Sequence, residues 1–193
     1  MKIAAVQPLS LSDFPECSAA IIFTIGCNLR CSYCHNKNLW DDQHQLIRSE
    51  EVFEFLQSKI NQLDGVVITG GEPTIQPDLL SFIKTIKQFG YKVKLNTNGT
   101  NPDCIKNLIT EDLLDYIAMD IKAPLAKYVA QFGVTVAVHE IQASIDLITS
   151  SGVPHEFRTI WDPTWLQASD IEAIRASLPK TSKYISRLLS SGK

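Results

Sequence analysis

GVVITGGEPTIQPDLLSFIKTIKQFG, residues 65–90, holds one complete strand-to-helix unit. Its first part, Gly65–Thr69, is a short apolar run rich in β-branched residues, as a buried strand is. From Pro77 to Phe89 apolar residues return at helical spacing, and Gly90 supplies a C-terminal stop. The same alternation extends in both directions. On the N-terminal side, Ala19–Ile25 (AAIIFTI) reads as a strand and Ser49–Leu63 as a helix capped by Ser49, with Glu50 and Glu51 in its first turn. On the C-terminal side, strands are expected at Tyr91–Asn96, Asp115–Ile121 and Pro154–Ile160, with a candidate sixth at Ser182–Ile185. Helices are expected at Asp103–Thr110, at Val138–Ser150 before Gly152, and at Ala168–Leu178.

Strand and helix in strict alternation imply βαβ units, hence a parallel sheet covered by helices. Five to six such units fall short of the eight that close a full barrel. The expected fold is therefore α/β, a partial, open parallel β/α barrel. Functional groups of parallel sheets gather at the carboxyl ends of the strands. The segments that follow the strands are GCNLRCSYCHN (26–36), GGEP (70–73), NTNG (96–99), DIK (120–122) and FRTIWD (157–162), and all five belong on one face.

Composition narrows the classes. A chain of 193 residues supports one sizeable core and is short for two, so a single domain over residues 1–193 is expected. With 45% hydrophobic and 20% charged residues the balance is that of a soluble globular protein. A net charge of −3 gives no basic footprint for nucleic acid. Ala19–Ile25 is far too short to span a membrane, and the N-terminus lacks the apolar core of a signal peptide. The expected compartment is a reducing cytoplasm, where five cysteines point to metal or redox chemistry before disulfides.

Three of those cysteines form a C-x3-C-x2-C loop, Cys27, Cys31 and Cys34. Three thiolates on one short loop can hold three irons of a [4Fe–4S] cube and leave the fourth iron open, whereas fully ligated clusters use four cysteines. A structural zinc wants four ligands, commonly from two separated knuckles. His35 is badly placed to complete one tetrahedron with Cys34, and Cys17 and Cys104 do not form a second knuckle. Spacing favours the cluster and leaves zinc as the rival.

The cysteine loop, with Tyr33 before its last cysteine, together with Gly70-Gly71-Glu72-Pro73 after the second strand, resembles the radical S-adenosylmethionine superfamily. The resemblance implies one [4Fe–4S] cluster on Cys27, Cys31 and Cys34, whose open iron chelates S-adenosyl-L-methionine. It places Tyr33 beside the adenine and makes Gly70, Gly71 and Glu72 cofactor-binding, Glu72 as an acceptor for an ammonium group. Ser12–Pro15, Phe23–Asn28, Cys34–Asn36, Asn96–Gly99 and Met119–Lys122 narrow it to the glycyl-radical-enzyme activases. Within them the chain is most similar to the branch that serves anaerobic ribonucleoside-triphosphate reductase, over about Leu9 to Leu178. The implied partners are that glycyl radical enzyme and a flavodoxin-like one-electron donor. Carried over to this chain, Asp120 is a cation or ribose contact and Lys122 a carboxylate partner. Asn96 stands where the pyruvate formate-lyase activases have aspartate; it keeps an acceptor oxygen but loses the charge, which weakens the case for a cation. Residues 180–193 do not resemble the family's continuation, so the C-terminal end reads as shortened, with an exposed sheet edge.

Other residues read more plainly. Cys17 and Cys104 are expected to be ordinary thiols, and His44, His139 and His155 surface or core histidines. His35 reads equally as a loop residue or a neighbour of the nucleoside, and Arg158 equally as a buried ion pair or a substrate contact. Trp161 and Trp165 suggest packing under a loop. Lys84, Lys87, Lys92 and Lys94 read as one solvated face.

Overall fold

The computed structural model describes residues 1–41, 45–132 and 137–189; His44 lies outside the described residues. Seven strands form one sheet in chain order: β1 (Ile3–Phe14), β2 (Cys17–Thr24), β3 (Gly65–Gly70), β4 (Lys92–Thr97), β5 (Tyr116–Asp120), β6 (His155–Trp161) and β7 (Lys183–Leu188). β1 runs antiparallel to β2, and every pair from β2 to β7 is parallel. The connections carry α1 (Ser49–Ser58), α2 (Leu79–Gln88), α3 (Pro102–Thr110), the short α4 (Tyr128–Gln131), α5 (Val138–Ser150) and α6 (Ala168–Ser177). Among the described residues the edge strands β1 and β7 do not pair with each other, so the sheet stays an open barrel.

The period of two along each strand divides the sheet into two faces. Ile22, Val66, Ile68, Val93, Leu95, Ile117, Met119 and Phe157 face the helices. There they bury Val52 and Leu56 of α1, Phe82, Ile83 and Ile86 of α2, Leu108 of α3 and Ile141, Ile145 and Ile148 of α5 in one core. The concave face carries the alternate residues. Phe14, Cys17, Ala19, Ile21 and Val67 plug its β1–β3 side as a separate small apolar cluster. Toward β4–β7 it turns charged, with Lys94, Asp120, Glu156 and Arg158.

The strand-helix order read from the sequence is present, and residues 183–185 of the Ser182–Ile185 candidate lie in a sixth parallel strand. Three details differ. β1 was not anticipated, because most of its residues are exposed and it contains Pro8; an edge strand with irregular register tolerates both. α1 ends at Ser58 rather than Leu63, and Ser49 is its first residue, not a cap: Arg48 holds the cap position with no side-chain bond. Lys94 is no part of a solvated face. It is 3% exposed on the concave side, where its Nζ donates to Asp13 O at 2.6 Å and lies 3.5 Å from Glu156. Lys84, Lys87 and Lys94 all have acidic partners, so the four lysines do not act as one patch.

Phe157 is fully buried between β6 and the helices. Phe157→Ala is expected to lose about 3–5 kcal/mol, seen as a lower urea midpoint with an unchanged slope.

Candidate active site

The cysteine loop leaves β2 and is fixed from several sides. Ile25 N–H donates to Lys2 O at 3.0 Å, Gly26 N–H to Leu39 O at 2.8 Å, and the Gln76 amide to Ile25 O at 2.6 Å. Gly26 has a φ of +95°, a conformation that favours glycine. Leu29 anchors the loop in the core at 1% exposure. Asn28 reaches across to Thr100 Oγ1 at 2.7 Å and accepts from Asn98 Nδ2 at 3.0 Å.

The two glycines of GGEP have a structural reason that the sequence did not reveal. Gly71 N–H donates to Thr24 O at 2.9 Å and Glu72 N–H to Gly26 O at 2.8 Å, which splices the end of β3 to the start of the cysteine loop. A Cβ at Gly70 would overlap the Thr24 backbone, and one at Gly71 the Gly26 carbonyl. What approaches the glycines most closely is thus the backbone at the end of β2. Glu72, 1% exposed, sits behind this splice. Its Oε1 accepts from Thr74 N (3.1 Å), Thr74 Oγ1 (2.6 Å) and Thr97 Oγ1 (2.7 Å), and its Oε2 from Asn98 N (2.6 Å). Burial pushes its pKa up, and these four donors partly offset that shift.

One cavity collects every residue assigned from the sequence to the cluster or the cofactor. Cys27, Cys31, Cys34, Tyr33 and His35 line it from the cysteine loop, and Gly70, Gly71, Glu72, Asn96, Asp120 and Lys122 from the strand ends. Thr69, Thr97, Asn98 and Ile160 also line it. These were missed, although Thr97 and Asn98 lie inside the NTNG segment; the signal was the motif itself, read at Asn96 alone. Asn96 Nδ2 donates to Thr69 Oγ1 at 3.3 Å, while its Oδ1 is buried with no partner. The Tyr33 ring stacks on Trp165, centroids 4.3 Å apart and planes within 13°, and Trp165 meets Phe132 edge-on. Trp165 is therefore a packing residue, as read, but what it packs against is the cysteine loop.

Charge in the site is paired. Asp120 accepts from Lys122 Nζ at 2.9 Å through Oδ2 and from Arg158 Nε at 2.8 Å through Oδ1. Burial alone would raise the Asp120 pKa, but the two cations hold it well below the usual carboxylate range. Burial likewise opposes the charge on Lys122, and Asp120 outweighs it. Arg158 is thus an ion-pair residue whose guanidinium also reaches a cavity. Burial pushes the Cys27 thiol up to about 11 and raises Cys31 as well. Two buried thiols that resist ionisation unaided suit a site in which iron supplies the compensating charge. Cys17 and Cys104 do not line the cavity, and all five cysteines are free.

Zinc at this site would need a compact set of ligands. A tetrahedral zinc brings its thiolates to about 3.8 Å from one another at a Zn–S length near 2.3 Å. No three His, Cys, Asp or Glu side chains among the described residues are gathered so as to hold one metal ion. Three thiols that line one cavity match the three protein ligands of a cube with one open iron. The orphaned Asn96 oxygen in the same wall suits a ligand that brings a donor.

Residues 21–164 match the family model of the Radical SAM superfamily. The chain belongs to that superfamily. Membership implies a [4Fe–4S] cluster and S-adenosylmethionine, in keeping with the donor set above. Among radical SAM relatives, a protein of Methanocaldococcus jannaschii provisionally named a glycyl-radical enzyme activating enzyme is 34% identical over 94% of this chain and 77% of its own length. A pyruvate formate-lyase-activating enzyme of Clostridium pasteurianum is 29% identical over 63% of this chain and 52% of its own. The 7-carboxy-7-deazaguanine synthase of Thermoplasma acidophilum is 35% identical over 55% of this chain and 48% of its own. The chain therefore spans about half the length of the last two. Solved structures show the same radical SAM fold: Streptococcus suis SuiB, TM-score 0.65 at 14% identity, covers 90% of this chain and 40% of that one. QueE from Escherichia coli, TM-score 0.55 at 16% identity, covers 96% and 93%.

Gly71→Ala is expected to break the splice, because the added Cβ meets backbone that cannot turn aside. The melting temperature should fall, and iron bound after anaerobic reconstitution should drop to below about half of wild type. Wild-type iron content in a variant with an unchanged melting temperature would contradict this account of the splice.

Proposed function

We propose that this protein is an activase that cleaves S-adenosylmethionine reductively and installs a glycyl radical on a partner enzyme. The observation that carries the reading is the match, over nearly the whole chain, to the Methanocaldococcus relative named for glycyl-radical enzyme activation. The unclosed sheet supports it, since a loop of a large partner needs an open side to enter.

In this reading Cys27, Cys31 and Cys34 would hold a single [4Fe–4S] cluster and leave one iron open for S-adenosylmethionine. Tyr33 lies beside the adenine with one ring face already occupied by Trp165, so its orientation is set before the cofactor arrives. His35 touches the nucleoside at the cavity mouth. Gly70 and Gly71 keep the floor at backbone height. Glu72 Oε2, which holds one donor where Oε1 holds three, accepts from the cofactor's ammonium. Asn96 Oδ1 gains the donor it lacks, Asp120 contacts the ribose, and Lys122 pairs with the methionine carboxylate. Bound there, cluster and S-adenosylmethionine would supply reductive carbon–sulfur cleavage and, from it, the abstraction of a hydrogen atom from a glycine Cα. The protein's own part is to position the cofactor and to exclude water. The proposed partner is anaerobic ribonucleoside-triphosphate reductase, with a flavodoxin-like donor, in a reducing cytoplasm.

A second reading has its own observation. The match to a 7-carboxy-7-deazaguanine synthase, over about half of the chain, favours a radical enzyme acting on a small molecule.

Anaerobic reconstitution should give about four irons and four sulfides per chain. Cys27→Ala, Cys31→Ala and Cys34→Ala should each abolish S-adenosylmethionine cleavage, while Cys17→Ala and Cys104→Ala should retain it; stoichiometric zinc without iron uptake would sink the cluster assignment.

The partner is tested with a reductase carrying deuterium at its glycine Cα positions. The label should appear in 5′-deoxyadenosine together with a glycyl doublet in the electron paramagnetic resonance spectrum, at no more than one radical per glycine site. Repeated turnover of a small molecule with no protein radical would leave the second reading standing.

A further inference from the structure

Beside the cofactor cavity lies a second one, of about 310 Å³, on the concave face. Ser12 and Asp13 line it from β1, and Ile185 and Arg187 from β7, so it occupies the gap between the two sheet edges. Asp120 and Ile160 line both cavities, which makes the second a continuation of the first.

The charges here do not balance. Asp13, Asp120 and Glu156 are the acids lining this cavity, and Lys94, Arg158 and Arg187 the bases. Asp120 is also paired with Lys122, and Glu156 with Lys183 at 2.9 Å, so five cations share three carboxylates. The surplus is localised. Arg158 uses Nε on Asp120, while its Nη1 is 4.0 Å from Glu156, too far for a hydrogen bond. Among the described residues neither terminal nitrogen of Arg158 donates a hydrogen bond, and the side chain of Arg187 has no ion pair or hydrogen bond. Register pairs Arg158 with Ile185 and Ile160 with Arg187. The two arginines are therefore diagonal neighbours on one face, with Cα atoms about 8 Å apart from strand spacing and rise. Side chains of that length can converge on one planar anion, a geometry for which guanidinium is suited.

We propose that Arg158 and Arg187 form a subsite for a carboxylate of the molecule that gives up the hydrogen atom. The proposal rests on the radical SAM reading, in which that molecule lies next to the cofactor. Ile160 and Ile185 give its apolar part a wall to cross between the subsite and the cofactor cavity. The carboxylate belongs either to an acidic side chain of a protein substrate or to a small carboxylic acid.

The test uses the full chain, reconstituted and loaded with S-adenosylmethionine, and reads weak binding by saturation-transfer nuclear magnetic resonance. The peptide probes are N-acetyl-aspartyl-glycinamide and its asparaginyl counterpart; the small-molecule probes are quinoline-3-carboxylate and its carboxamide. In one of these pairs the carboxylate should bind about tenfold tighter or more than its neutral analogue, and the pair that shows it identifies the source. Arg187→Gln should erase the difference, Ser186→Ala, on the opposite face of β7, should keep it, and Arg187→Glu should turn the preference toward N-acetyl-lysyl-glycinamide. Equal binding within both pairs, or a preference that survives Arg187→Gln, overturns the subsite. Iron content and cofactor cleavage are measured on the same samples. A failed carboxylate test with cleavage intact removes the subsite alone, whereas absent cluster and cleavage remove the reading beneath it.

Discussion

A buried carboxylate with four donors, Glu72, is the point on which the site depends. Those donors come from its own turn and from the end of β4, and its backbone N–H is bound to the cysteine loop. One residue thus ties three strand-end segments together. Burying a charge without such partners would cost several kcal/mol; with them, the desolvated carboxylate becomes a fixed reference for Thr97, Asn98 and Thr74. The glycines before it are small for a related reason. They let two backbones hydrogen-bond where any side chain would push them apart, and the cysteine loop inherits its position from that contact.

The concave face changes character across the sheet, and this places the chemistry. Near β1 to β3 it is filled by apolar side chains and closed to ligands. From β4 onward, cross-strand neighbours are ionic: Asp120 faces Arg158 and Glu156 faces Lys183 in register. Such pairs contribute less to stability than their number suggests, because desolvation offsets much of the attraction. Their use is to hold polar groups at defined positions above an apolar floor. Lys94 illustrates the cost: burial works against its charge and holds its pKa down, and Glu156, the Asp13 carbonyl and the Tyr116 ring beneath it offset this only in part.

Much of this was legible in the sequence because it rests on local rules. Strand and helix alternation reads directly from apolar periodicity, and the three cysteines are a spacing that needs no tertiary context. What failed to read were features set by neighbours distant in the chain. β1 exposes most of its residues, so periodicity carries no burial signal there. Lys94 looks like any strand lysine until the sheet curls and places Glu156 and Tyr116 around it. A second reason for Gly70 and Gly71, the close approach of the Thr24 and Gly26 backbone, is not legible locally, because only the fold shows that Gly26 lies against them. Trp165 was read correctly as a packing residue, yet nothing local could have named Tyr33 as its partner.

An open barrel has two free edges, and free edges invite pairing with other chains. Both edges here carry features that discourage it. β1 contains Pro8, which offers no N–H, and its register on β2 shifts at three places, so its outer edge is not a regular template. β7 carries Lys183 and Arg187 on its inner face, and a copy added there would bring like charges together. These same features keep the cavity between the edges accessible. A regular, uncharged pair of edges would gain ladder hydrogen bonds by closing on each other or on a second chain, and the entrance would then be lost. Among the described residues, the irregular first strand and the charged last one therefore leave the cavity between them uncovered.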